Sequence, residues 1–263
     1  MQRFLNQIIC GDNVEIMRQM PDKCVDLTIT SPPYDNLRTY NGFSFDFENV
    51  AKELYRITKD GGVVVWVVND ATINGSETGT SFRQALYFKD IGFNLHDTMI
   101  WEKTAMLPTQ DRYYNIFEYM FVLSKGKPHA MNFIEDKPNV NGGRVQKKDA
   151  CINKGKQKYG SGTFVRKEVG RRTNIWRIPI GKNSETKGHP AIFPEQLAND
   201  HIISWSNPGD LVFDPFVGSG TTAKMALLNG RNFIGIDISD EYCEIARQRL
   251  EQAQTQQRLF AEA

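Results

Sequence analysis

The chain has few cysteines and none paired in sequence. Cys10, Cys24, Cys151 and Cys243 are scattered, with no Cys-x-x-Cys, which argues against a structural zinc site or a disulfide framework and suits a reducing cytoplasm. No apolar run approaches the roughly 18 residues that a membrane span requires. Met1-Gln2-Arg3-Phe4 leads straight into Ile8-Ile9, too short an apolar stretch for a secretory leader. No Gly-Lys-Ser/Thr follows any glycine-rich stretch, so a P-loop is excluded. Net charge is also slight, at +1 over 263 residues. That balance hides an asymmetry: Lys137 to Lys187 holds fourteen Lys/Arg and three Asp/Glu, +11 in 51 residues, so the remainder carries −10. A basic segment on an acidic body is the footprint of a polyanionic partner.

Two segments carry the chemistry. Val25-Asp26-Leu27-Thr28-Ile29 reads as a buried strand, and it runs into Thr30-Ser31-Pro32-Pro33-Tyr34. Neither proline can donate to a sheet ladder, so the strand ends at Ser31, at the rim where open α/β sheets bind ligands. Such a corner holds a serine hydroxyl and the Pro32 carbonyl as fixed acceptors beside the flat face of Tyr34. An exocyclic amino group on a planar base fits it: each hydrogen meets one acceptor while the ring stacks. By itself Ser-Pro-Pro-Tyr is also an ordinary way to close a strand.

The second segment is Asp214-Pro215-Phe216-Val217-Gly218-Ser219-Gly220-Thr221-Thr222. Leu211 to Asp214 reads as a strand, Thr221 to Leu228 as a helix and Phe233 to Asp237 as the next strand. In this βαβ unit the glycines admit a ligand close to the backbone and the helix offers free N–H groups. Asp237, at the far strand end, is placed for two ribose hydroxyls. Gly218-Ser219-Gly220-Thr221-Thr222-Ala223 with Asp237 also fits the dinucleotide fingerprint. That pattern does not separate a nicotinamide cofactor from S-adenosylmethionine. Asp214 before the glycines, the Ser-Pro-Pro-Tyr corner and the basic segment favour the methyl donor.

Together, and in this order, the two segments resemble the catalytic motif and the cofactor loop of amino-group DNA methyltransferases of the β group. The resemblance covers nearly the whole chain. It implies a Rossmann-like, doubly wound α/β fold with a mostly parallel sheet and permuted motif order. The implied catalytic domain comprises residues 1–126 and 188–263, with a basic target-recognition insert at 127–187. The implied reaction moves a methyl group from S-adenosyl-L-methionine to the amino nitrogen of a base flipped out of double-stranded DNA, leaving S-adenosyl-L-homocysteine, with no metal. Ser31, Pro32, Pro33 and Tyr34 would be catalytic. Asp12, Asn13, Ser31, His189, Pro190, Asp214, Pro215, Phe216, Gly218, Ser219, Gly220, Thr221, Thr222 and Asp237 would hold the cofactor. Asp12 has an equal claim as a helix cap.

In the family, serine at the first motif position mostly accompanies N4-cytosine enzymes and aspartate N6-adenine enzymes, so Ser31 favours cytosine, with adenine the alternative. Arg166, Lys167, Arg171 and Arg172 are the candidates for DNA contact. A prokaryotic or phage-encoded cytoplasmic enzyme is implied; a cognate restriction endonuclease and a homodimer are the further partners the resemblance allows. The rival readings are an RNA or protein-glutamine methyltransferase, whose cofactor loop normally comes first, and a DNA-binding relative that has lost activity. Trp101, Tyr113 and Tyr114 read as packing residues, and Lys59-Asp60-Gly61-Gly62 as the end of a helix starting near Phe47.

Overall fold

The computed structural model describes residues 1–33, 45–104, 111–148, 151–153, 156–159, 162–180 and 194–261. They form two compact units, Met1–Asn132 with Asn174–Ala263, and Phe133–Thr173. The second unit is narrower than the expected insert: residues 127–132 and 174–180 belong to the first.

The first unit begins with β1 (Gln7–Cys10), α1 (Asn13–Arg18), β2 (Val25–Thr30), α2 (Phe47–Ile57) and β3 (Thr58–Val68). A two-residue-strand hairpin, β4 (Thr72–Ile73) and β5 (Ser76–Glu77), precedes α3 (Thr80–Asp90), β6 (Asn94–Glu102) and β7 (Phe117–Ser124). The second unit holds β8 (Glu135–Pro138), β9 (Val145–Lys148), β10 (Cys151–Asn153), β11 (Lys156–Tyr159), β12 (Gly162–Val165) and β13 (Val169–Arg171). The chain then returns to the first unit with β14 (Ile175–Arg177), α4 (Glu195–Trp205), β15 (Leu211–Asp214), α5 (Thr221–Leu228), β16 (Asn232–Asp237) and α6 (Asp240–Ala261).

The sheet of the first unit runs β1-β16-β15-β2-β3-β7-β6-β14. Every neighbouring pair is parallel except those involving β7, which is antiparallel to β3 and β6. Burial on both faces explains the unbroken apolar runs, since a parallel sheet covered by helices has no wet side. Along β3 the pleat sorts them. Val63, Val65 and Val67 pack with Leu197, Ala223, Ala246 and Leu250 of α4, α5 and α6. Val64, Trp66 and Val68 pack with Met17, Leu54 and Phe88 of α1, α2 and α3. Trp66 is fully buried and satisfies its indole by donating to Gln84 Oε1 at 2.9 Å.

Three sequence expectations are revised. Gly61-Gly62 does not end α2. The helix stops at Ile57, Thr58 is already extended and pairs with Val25, and the next pair is Leu27 with Val63. Lys59 to Gly62 therefore bulge out of β3. Gly62 is required there, because a Cβ would lie 2.7 Å from Thr58 Cγ2 and 2.9 Å from the Lys59 carbonyl. Second, β6 is not a sheet edge: β14 continues the sheet beyond it, with Trp176 opposite Trp101. Third, of the three aromatic residues expected to pack, only Trp101 is buried, donating to the Ile178 carbonyl at 2.8 Å; Tyr113 is fully exposed and Tyr114 half so.

At the amino ends of the central strands, Asp26, His129 and Asp210 place ligand-type atoms within 4.8 Å of one another. The cluster is internally satisfied. Lys59 Nζ donates to both oxygens of Asp26 at 2.8 and 2.7 Å, and Leu211 N to Asp26 Oδ2. His129 has Nδ1 3.0 Å from the Gly61 carbonyl and Nε2 3.0 Å from Asp210 Oδ2. Both ring nitrogens face acceptors, which only the doubly protonated ring satisfies. Burial pushes its pKa down, but Asp210, the Gly61 carbonyl and Asp26 outweigh burial and hold it above the usual value.

A raised histidine pKa stabilises the fold fully below about 6.5, and that contribution is lost as pH rises through the higher folded value. Thermal unfolding from pH 5.5 to 9 checks this. His129→Gln should lower Tm most at the acid end, and the difference from the parent should shrink at alkaline pH. A difference independent of pH would refute the assignment. No helix among the described residues is long and apolar enough to cross a membrane.

Candidate active site at the carboxyl edge of the sheet

β15 leads through α5 to β16 on one side, and β2 leads through α2 to β3 on the other. The strand order thus reverses between β15 and β2, and their carboxyl ends flank the crevice that forms at such a switch point. Asp214 ends β15 and Thr30 ends β2. The two are joined directly: Thr30 Oγ1 donates to Asp214 Oδ1 at 2.7 Å, both residues being buried. Ser31 and Pro33 are half-buried and Pro32 is buried immediately beyond this bond. The two segments that the sequence singled out, 184 residues apart, therefore meet at one point.

Asp214 Oδ1 also accepts from Phe216 N at 3.0 Å. Burial pushes this carboxyl up to about 7, with the charge of Asp237 adding to the rise, against the donors Thr30, Phe216 N and Thr222, which favour the anion. Thr222 Oγ1 donates to the Ile29 carbonyl at 3.4 Å, a second tie from the glycine-loop helix to the catalytic strand. Asn13 Nδ2 donates to the Pro215 carbonyl at 3.2 Å. Asp12 Oδ1 caps α1 by accepting from Glu15 N at 2.9 Å. Phe216 lies edge-on to Phe45, 5.3 Å between centroids.

The glycine loop is folded around Asp237, whose Oδ2 accepts from Gly218 N and whose Oδ1 accepts from Ser239 N, each at 2.9 Å. Gly220 caps α5 in the left-handed region, φ +83, and a Cβ there would lie 2.8 Å from Ala246 Cβ. At Gly235 a Cβ would meet Val217 Cγ2 at 2.7 Å and Ile8 Cδ1 at 2.8 Å. These glycines let β16, α6 and the loop close on one another, leaving α5 with its N-terminus at the crevice.

A brace that sequence reasoning missed holds this loop from below. Arg249 is buried; its Nη1 donates to the Ser219 carbonyl at 2.6 Å, Ser219 Oγ at 3.1 Å and Thr221 Oγ1 at 3.2 Å. Its Nη2 donates to Glu195 Oε1 at 2.7 Å, which also accepts from Lys224 at 2.8 Å. The available signal was an arginine on the inward stripe of α6, beside Ala246, Leu250 and Ala253.

Of the expected site residues, Asp12, Asn13, Ser31, Pro32, Pro33, Asp214 to Phe216, Gly218 to Thr222 and Asp237 lie at the carboxyl ends of the adjacent strands β1, β16, β15 and β2 or on the segments that follow them. Tyr34, His189 and Pro190 lie outside the described residues. Arg166, Lys167, Arg171 and Arg172 are in the second unit.

An open, doubly wound α/β sheet with a glycine loop, a ribose-type aspartate and a Pro-Pro corner gathered at its switch point is a Rossmann-like enzyme fold. Comparison with known proteins identifies the kind. The DNA methylase family model N6_N4_Mtase matches residues 25–248, and the chain belongs to this family of N4/N6 amino-methyltransferases. It is 60% identical over 237 residues to a protein of Bacillus amyloliquefaciens named orphan methyltransferase M.BamHII, spanning 87% of this chain and 89% of that protein. Among solved structures it is similar to the PvuII DNA methyltransferase, described as cytosine-N4-specific, with TM-score 0.68 and 21% identity over 92% of this chain and 85% of the other. It is also similar to a DNA modification methylase of Thermus thermophilus complexed with S-adenosyl-L-methionine, with TM-score 0.63 and 25% identity over 94% and 93% of the two chains.

Proposed function

We propose that this chain methylates the exocyclic amino nitrogen of a base in double-stranded DNA, using S-adenosyl-L-methionine, and that the base is cytosine, modified at N4. The observation that carries the reading is the Thr30–Asp214 bond, which sets the Ser31-Pro32 corner against the segment preceding the glycine loop. The loop fits such a cofactor. Its glycines are at positions a side chain would fill, and Asp237 ends β16 as a ribose-binding carboxylate would. When bound, the cofactor supplies an electrophilic sulfonium methyl group.

The protein's part is positioning. An aromatic amine is a weak nucleophile because its lone pair is delocalised into the ring. Ser31 Oγ and the Pro32 carbonyl would accept one amino hydrogen each, turning them out of the ring plane and freeing the lone pair for in-line attack. Fixed dipoles aimed at the reacting atoms cost no reorganisation during reaction. The proton leaves to water after transfer, when the methylated amine has become acidic. The target lies inside the duplex, so it must flip out, at a cost of a few kcal/mol offset by stacking, here assigned to Tyr34, and by backbone contacts. The basic unit Phe133–Thr173 would hold the DNA. The relative's name, an orphan methyltransferase, gives no ground for requiring a cognate endonuclease.

Nucleoside mass analysis of plasmid DNA from cells expressing the chain tests the reading. N4-methylcytosine is the expected product. N6-methyladenine would keep the mechanism and overturn the base assignment, and neither product would direct the search to RNA.

A further inference from the structure

Not all the basic side chains of the second unit are available to a ligand. Lys167 is bound to Glu135 at 2.9 Å, Arg172 donates to Asp136 from Nε at 2.9 Å, and Arg171 lies over the Phe133 ring, 4.2 Å from its centroid. Of the four candidates read from sequence, three are thus engaged inside the unit, two of them by carboxylates. Arg166 is exposed, and among the described residues its side chain has no acidic partner.

The backbone gives Arg166 a neighbour. β9 and β12 form an antiparallel ribbon with Val145 opposite Val165, Gln146 opposite Phe164 and Lys147 opposite Thr163. At its base Gly143 N donates to the Arg166 carbonyl at 2.9 Å and Arg166 N to the Arg144 carbonyl at 3.0 Å, with Gly143 at φ +73. This is a bulge built on a left-handed glycine, which puts Arg144 opposite Arg166. Alternation along the strands then places Arg144, Gln146, Phe164 and Arg166 on one face. Arg144 is exposed and, like Arg166, has no acidic partner among the described residues. Phe164 is 46% exposed.

Like charges directly opposite one another destabilise a ribbon, and an exposed phenylalanine gains nothing in water. A polyanion that also presents flat apolar edges resolves both. A two-stranded ribbon fits the major groove, where glutamine pairs with adenine and an apolar side chain meets the thymine methyl group.

We infer that the Arg144, Gln146, Phe164, Arg166 face of the β9–β12 ribbon is the DNA-reading surface of this enzyme, the arginines gripping phosphates and Gln146 with Phe164 contacting bases. This rests on the DNA-methylation reading above. It assigns to Arg144 a role that its sequence context did not suggest and withdraws Lys167 and Arg172 as principal contacts.

The test uses the full-length chain, binding to duplexes that do and do not carry the methylated sequence, read as a function of salt. Arg144→Gln with Arg166→Gln should weaken binding to both duplexes roughly ten- to thirtyfold at physiological salt and reduce the slope of log K against log salt by about 1.8, or about 0.9 per arginine. Gln146→Ala and Phe164→Ala should leave that slope unchanged and narrow the preference for the methylated sequence by about 5- to 150-fold, the range of one good base contact. Lys167→Gln is the control and should behave as the parent. Thermal unfolding establishes that each variant is folded. Unchanged affinity and slope in the double-arginine variant, with the parent active on DNA, would overturn the inference alone. A parent that neither binds nor methylates DNA would overturn the functional reading beneath it.

Discussion

Replacing Ser31 by alanine is expected to lower kcat for methyl transfer by about 10²- to 10³-fold, the usual effect of removing one preorganised polar contact to a reacting group. KM for the cofactor should change far less. The asymmetry follows from where the contact acts. A Ser31 hydroxyl that accepts an amino hydrogen strengthens its hold as the lone pair leaves the ring, so its contribution belongs to the transition state. The backbone is undisturbed, because Thr30 still ends β2 by its own bond to Asp214 and Pro32 is already buried. The measurement is single-turnover transfer of radiolabelled methyl groups to a duplex substrate, with cofactor binding followed separately. Retention of full kcat would remove Ser31 from the chemistry and leave the Pro32 carbonyl as the only fixed acceptor of the corner. A parallel loss of cofactor affinity would recast Ser31 as a cofactor contact.

The parts of this molecule legible in the sequence are those where local chemistry and tertiary position agree. The double proline ends β2 by removing donors, whatever surrounds it, and Val63 to Val68 can only be a strand buried on both faces. The glycines of the cofactor loop are likewise local: Gly220 needs a left-handed backbone, and Gly235 a missing side chain. What escaped was decided between distant residues. Arg249 reaches Glu195 across 54 residues, and nothing in either neighbourhood announces the pairing. Gly61-Gly62 carried the usual signature past a helix end, yet the glycines serve a bulge in which β3 starts early and turns about Lys59, which is anchored on Asp26. The second unit misled in a third way. Counting lysines and arginines located the basic unit, but the structure shows that carboxylates at positions 135 and 136 engage Lys167 and Arg172.

Cofactor affinity is expected to depend on pH through Asp214, with an acid limb near 7. Burial holds this carboxyl protonated up to about that pH, and Thr30, Phe216 N and Thr222 are the groups that favour its anion. In the protein alone the sign is unfavourable to the anion: a carboxyl raised from 3.8 to about 7 makes folding progressively less favourable as pH rises between those values. A cationic amino group arriving beside Asp214 reverses the preference, because an opposite charge within a few ångströms stabilises the carboxylate. S-adenosyl-L-methionine carries such a group at its amino-acid end.

Below pH 7 binding should therefore release close to one proton and tighten about tenfold per pH unit. The limit at higher pH is set by the ligand, since an α-amino group loses its own proton near 8. Affinity should peak between the two. Calorimetry in buffers of different ionisation enthalpy measures both the affinity and the proton count. Asp214→Asn should bind weakly and lose the acid limb. Thr30→Val should keep the limb and move it to higher pH, because the carboxylate loses a donor that favours it; a purely structural Thr30 would lower affinity equally at all pH values. Proton release near zero at pH 6 would show that the cofactor's amino group does not meet Asp214, and would move the point of contact elsewhere along the Asp214-Pro215-Phe216 segment.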